Sequence, residues 1–108
     1  MTRPMGLAEA VAGLLAAMSA SAQPAGDLAL RSLAATCAAC HGTDGRAVDG
    51  AGMVSLRGLD RQYLQAQLIA FRDGTRPATV MHQIAKGYTP EQIEQLSAYF
   101  ASLPRVAP

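Results

Sequence analysis

The two cysteines of this 108-residue chain fall within one pentapeptide, Cys37-Ala38-Ala39-Cys40-His41. C-x-x-C-H is the attachment sequence of c-type haem. Two thiols three positions apart on a helical turn both reach the vinyl groups of one porphyrin and form thioethers. The next residue, His41, then presents an imidazole to the iron from one side. A chain that carries such a group must fold around it. It needs a helix beneath the motif, an apolar wall and a ligand for the iron's other face. A thioether sulfur in that place raises the reduction potential.

Other uses of these residues fit less well. A thioredoxin-like C-x-x-C requires alternating strands and helices, and no strand pattern is visible. A disulfide between Cys37 and Cys40 would tie nothing distant together. A zinc site could recruit Cys37, Cys40, His41 and His82. Adjacent Cys40 and His41 would share one tetrahedral centre with difficulty, and finger-type spacing is absent.

Half the residues are hydrophobic, but there is no Trp and there are only three Tyr and two Phe. A single small domain with so few large side chains builds a marginal core, which a buried porphyrin would reinforce. A net charge of +1, with no basic tract interleaved with aromatics, argues against nucleic acid. The N-terminus has the form of an export signal. Arg3 is followed by the apolar run Ala10-Val11-Ala12-Gly13-Leu14-Leu15-Ala16-Ala17-Met18 and by Ala20-Ser21-Ala22, a small-residue cleavage site. The expected organisation is a signal peptide over 1–22 and a monohaem domain over 23–108, exported to the periplasm. An uncleaved anchor is the alternative, but the run is short for a membrane span. No span is expected in the mature chain.

Along that domain, Asp27 can cap a helix running from about Leu28 into Cys40, with Leu28, Leu30, Leu33 and Ala34 at helical spacing. Gly42 ends it. Residues 42–58 are turn-prone and read as a loop around the proximal edge of the porphyrin. Asp60 caps a helix over 61–72 whose stripe of Tyr63, Leu64, Gln67, Leu68 and Phe71 reads as the wall over one porphyrin face. Asp73–Pro77 turns the chain. Thr89-Pro90-Glu91-Gln92 is a capping box with Pro at the first helical position, opening a last helix to about Leu103. Leu96, Tyr99 and Phe100 of that helix are the expected partners of Leu28, Leu30 and Leu33.

Three side chains could supply the sixth ligand. Met81 lies 40 residues after His41, in a stretch read as irregular between two helices, from which a loop can swing across the porphyrin. His82 is its neighbour. Met53 lies 12 residues after His41, in the proximal loop, and would have to cross to the other face. Arg72 and Arg76 are candidate partners for the haem propionates, or else solvated charges.

With these residues placed, the segment Asp27–Leu103 resembles class I cytochromes c. Arg76-Pro77-Ala78-Thr79-Val80-Met81, Ala85-Lys86-Gly87-Tyr88-Thr89 and Phe71-Arg72-x-Gly74-x-Arg76 are similar to the cytochrome subunit of flavocytochrome c sulfide dehydrogenase, in a monohaem form. The resemblance implies an all-α fold of about four helices around one covalent haem, with the N- and C-terminal helices crossing. It implies attachment through Cys37 and Cys40 and axial ligation by His41 and Met81. It also implies one-electron transfer from a flavoprotein (FAD) sulfide dehydrogenase subunit or another redox protein, with no catalysis by the chain itself. The family's post-haem loop commonly has a Pro whose carbonyl accepts the proximal imidazole's hydrogen bond; Val54 stands in that position here. The alternative functions are a free periplasmic carrier and, from another class, a haem sensor or peroxidatic enzyme with an open iron site.

Covalent attachment has a direct measurement. Acid–acetone extraction should leave the haem with the protein, and Cys37→Ala with Cys40→Ala should abolish attachment. Haem that extracts freely from the unsubstituted protein would contradict the motif.

Overall fold

The computed structural model describes residues 1–2 and 25–107. Nearly all of the expected export signal lies outside these residues. Within them the chain is helical and contains no strand.

The first expected helix is divided in two. Helix α1 spans Ala25–Ala35 and α2 spans Ala38–His41. At the bend the backbone tightens to i→i−3 bonds, Thr36 N–H to the Leu33 carbonyl at 3.2 Å and Cys37 N–H to the Ala34 carbonyl at 3.1 Å. The Thr36 hydroxyl competes for the same Leu33 carbonyl at 2.7 Å. Such back-bonding by Thr bends helices, and periodicity alone gave no sign of it. Asp27 sits in the first turn of α1 rather than ahead of it.

Gly42 ends α2 at φ 80°, and a 3₁₀ turn follows over Thr43–Gly45. The rest of the loop to Asp60 is irregular, as its composition predicts. Three bonds make it a fixed wrap. Leu56 N–H donates to the Gly45 carbonyl at 2.8 Å, Gly58 N–H to the Phe100 carbonyl at 2.8 Å, and Ala47 N–H to the Ser55 hydroxyl at 3.0 Å. Gly45 has to be glycine. Its φ is 73°, and a Cβ there would lie 2.9 Å from the Phe100 ring and 3.0 Å from Leu56 Cβ. Left-handed backbone and a blocked contact both oppose any side chain.

Helix α3 spans Arg61–Asp73, capped by Asp60, whose carboxylate accepts from Tyr63 N–H at 2.8 Å. A left-handed Gly74 closes it. The stretch read as irregular contains a further helix, α4, over Met81–Lys86, so Met81 stands at a helix start rather than in a loop. Met-His-Gln-Ile-Ala-Lys carries enough helix formers to close a turn and a half once it is packed. Helix α5 spans Pro90–Ser102 and has the expected capping box, with Gln92 N–H to the Thr89 hydroxyl at 3.1 Å and Thr89 N–H to the Gln92 side chain at 2.9 Å.

Helix α3 packs on both α4 and α5, and α1 packs on α5. Leu64, Leu96, Phe100 and Ala34 form the buried cluster, with Leu33, Leu56, Leu59 and Leu103 against it. Helix α1 therefore meets α5 through Ala34, a small side chain that lets the two come close. The expected role of Leu28 is not met: it is 62% exposed, because six residues at about 3.6 per turn place it on a different face of α1 from Ala34.

A titratable side chain of α5 also reaches the loop after the haem motif. The Tyr99 hydroxyl donates to Asp44 at 2.9 Å, tying α5 to the 3₁₀ turn. Desolvation first, then the bond to and charge of Asp44, push the Tyr99 phenol above its ordinary value. The folded state thus keeps a proton that the unfolded chain loses near pH 10. The stabilisation is complete below about pH 10 and falls as pH rises through the folded value. Denaturant titrations on either side of about pH 10 should show the unsubstituted protein losing stability more steeply than Tyr99→Phe. Equal slopes would mean that the contact does not form.

Candidate functional site

A cleft of about 310 Å³ opens between the 42–60 loop, α3 and α4. His41 and Cys37 bound it from the haem-motif side, and Met53, Val54 and Leu56 from the loop. Leu64, Leu68 and Phe71 line it from α3, Met81 and Ile84 from α4, and Leu96, Ser97 and Phe100 from α5. The expected stripe of α3 is therefore the wall of this cleft. Tyr63 and Gln67 also line it.

His41 is the best determined of these groups. Its Nδ1 lies 2.7 Å from the Val54 carbonyl oxygen. A carbonyl can only accept, so Nδ1 carries the proton, and Nε2 keeps the lone pair a metal would take. Val54 thus makes the contact for which proline is the usual residue; any backbone carbonyl at that position serves. Cys37 is half-buried. Burial pushes its thiol above the ordinary range. Cys40 is exposed on α2 and does not line the cleft.

The ligand candidates separate. His82 does not line the cleft; its Nδ1 is buried without a hydrogen-bond partner. Met53 and Met81 both line it. Met53 immediately precedes the residue that binds His41, so it belongs to the wall on the imidazole's side. Met81 comes from α4, which rests on α3.

The two arginines separate as well. Among the described residues, Arg76 is the only Lys, Arg, Asp or Glu on the cleft, and Arg72 is not on it. The Arg76 guanidinium bonds the Gln67 side chain and lies 4.7 Å from the centre of the Phe71 ring. Such a cation–π contact is worth about 0.5–1 kcal/mol when exposed, enough to hold the charge at the rim.

These residues fit a haem. The walls are apolar, one imidazole is oriented with a free nitrogen, two thioethers and a thiol are at hand, and one cation is fixed at the edge. Three contributors were not evident from sequence. Ser97 reaches the cleft but commits its hydroxyl to the Ile93 carbonyl at 2.7 Å, so it presents little polarity. Thr36 and Tyr88 line the cleft and bond each other at 3.0 Å. The only sequence mark of that pair is a tyrosine between the Gly87 stop and the Thr89 cap.

Residues 31–104 match the cytochrome c family. The chain is 42% identical to the cytochrome subunit of sulfide dehydrogenase of Chlorobaculum tepidum over 71 residues, which are 66% of this chain and 63% of the relative. It is 42% identical over 82 residues to the thiosulfate dehydrogenase electron acceptor of Thiomonas intermedia, covering 76% of this chain and 38% of that protein. The chain thus spans less than two thirds of either relative. Among solved structures it is similar to the cytochrome c4 of Acidithiobacillus ferrooxidans, with a TM-score of 0.65 and 32% identity over 75% of this chain and 52% of that one.

Proposed function

Because the chain belongs to the cytochrome c family, we propose that it is the haem subunit of a periplasmic sulfide dehydrogenase, taking electrons one at a time from a flavoprotein (FAD) partner. As a cytochrome c it transfers electrons and is not itself an enzyme. When bound, the haem supplies a one-electron couple between Fe(II) and Fe(III).

The residues have distinct tasks in this reading. Cys37 and Cys40 hold one haem through thioethers. His41 offers Nε2 to the iron while Val54 fixes its ring. Such outer contacts both orient a ligand and raise its basicity. Met81 would hold the iron through its thioether, which would favour the reduced state. Leu64, Leu68 and Phe71 exclude water. Arg76 compensates a haem carboxylate, an anion that is costly to bury alone. The observation that carries this reading is that Cys37, His41 and Met81 line one apolar cleft. The export signal over 1–22, cleaved after Ala22, delivers the chain to the compartment where c-type haem is attached. No helix of the described residues is long and apolar enough to cross a membrane.

The choice of partner rests on the likeness to the sulfide dehydrogenase subunit and on surface charge. Lys86 is the chain's only lysine. Free shuttles commonly dock through a lysine-rich ring, and a lasting, more apolar interface suits this surface better. A second reading, a free periplasmic carrier, is favoured by the likeness to a protein named as an electron acceptor of thiosulfate dehydrogenase.

Two measurements test these assignments. The ferric protein should show the weak red absorption band of His/Met-ligated haem. Met81→Ala should remove it and lower the potential, and Met53→Ala should leave both. The reverse pattern would move the ligand to the loop after His41. Purification from its native periplasm should yield a flavin-containing partner in fixed proportion, with sulfide reducing the haem only when that partner is present. A cytochrome that purifies alone and is reduced equally well by unrelated donors would favour the free carrier.

A further inference from the structure

We propose that Tyr88 is a positioning residue for Met81: its hydroxyl latches the corner between α4 and α5 onto the bend ahead of Cys37. The inference rests on the His41/Met81 ligand reading above. The direction of the bond follows from proton count. Thr36 Oγ lies 2.7 Å from the Leu33 carbonyl and 3.0 Å from the Tyr88 hydroxyl oxygen. A hydroxyl has one proton, and a carbonyl can only accept. Thr36 therefore donates to Leu33, and Tyr88 donates to Thr36. The pair spans 52 residues and joins the chain next to the haem thiols to the chain just past Met81.

The segment carrying Met81 needs such ties. Helix α4 has six residues and no side-chain cap at Val80. A helix this short is unstable by itself and is set in place by its ends and by the fully buried Ala85. The entry is tied by Arg76, whose N–H donates to the Ala70 carbonyl at 3.2 Å and whose guanidinium sits on Gln67 and Phe71. The exit is tied by Tyr88, whose N–H donates to the Ala85 carbonyl at 3.2 Å and whose ring borders the same cleft as Met81. With the Tyr88 hydroxyl removed, the exit is free to open locally while Ala85 keeps α4 on α3. Met81 then yields its place more readily to an external ligand.

The test uses the ferric holoprotein and added imidazole. The unsubstituted protein should show the red His/Met band and Met81→Ala should lack it, which checks the premise separately. Tyr88→Phe should keep the band without imidazole but bind imidazole roughly threefold to tenfold more tightly, the range that loss of one net hydrogen bond allows. Thr36→Val should do the same, Thr36→Ser should behave as unsubstituted, and the double variant should exceed neither single one. An imidazole affinity of Tyr88→Phe within about twofold of the unsubstituted protein overturns the latch. So does an additive double variant, or a lowered urea midpoint with unchanged imidazole affinity, the mark of a purely structural role. An unsubstituted protein without the band, or Met81→Ala that keeps it, overturns the ligand reading and the latch with it.

Discussion

The bond from His41 Nδ1 to the Val54 carbonyl, 2.7 Å long, is the contact on which the site depends. It sets the imidazole's tautomer and its orientation together. It also pins the loop after the motif back onto α2, 13 residues along the chain from His41. The bond from Leu56 to Gly45 then closes the loop on itself, and that from Gly58 to Phe100 brings the same segment onto α5. One hydrogen bond thus orients a candidate ligand and shapes a wall of the cleft. The requirement falls on a backbone carbonyl and not on a side chain, which is why Val54 can meet it.

Around that contact the protein works with very little core. Leu64, Leu96 and Phe100 are its large buried side chains in the central cluster. Small residues let the other elements reach them: Ala34 brings α1 to α5, and Gly45 brings the loop under the Phe100 ring. Phe100 belongs at once to the core and to the cleft wall. Core stability and the geometry of the site are therefore not separable here. A change under Phe100 would be felt at both.

Charge is used sparingly. The Arg61–Glu94 pair, 2.9 Å apart, is solvent-exposed on both sides, and such pairs contribute little. Arg76 differs because Gln67 and Phe71 fix it at the edge of an apolar cleft. Its charge is oriented before any anion arrives, and the ordering cost has been met in folding.

Much of this was legible in the residues. Cys37-Ala38-Ala39-Cys40-His41 specified the cofactor chemistry, because the spacing of thiols and imidazole is itself the chemical requirement. Asp60, Gly74 and the Thr89–Gln92 box marked helix ends, because caps satisfy backbone groups within a few residues of themselves. Position 54 could be named in advance only through the family resemblance, which places there the carbonyl that accepts from the imidazole. What lay beyond the sequence depended on contacts between distant residues. The helix at Met81–Lys86 closes only once it is packed, and the bend at Thr36 comes from a hydroxyl bond to the Leu33 carbonyl that periodicity does not reveal. The sorting of Met81 and Met53 from His82, of Arg76 from Arg72 and of Ala34 from Leu28 needed the cleft to exist first. So did the pairing of Thr36 with Tyr88. Local patterns decide which groups are available; only the closed chain decides which of them share a cavity, because burial is a property of the surrounding elements and not of the residue.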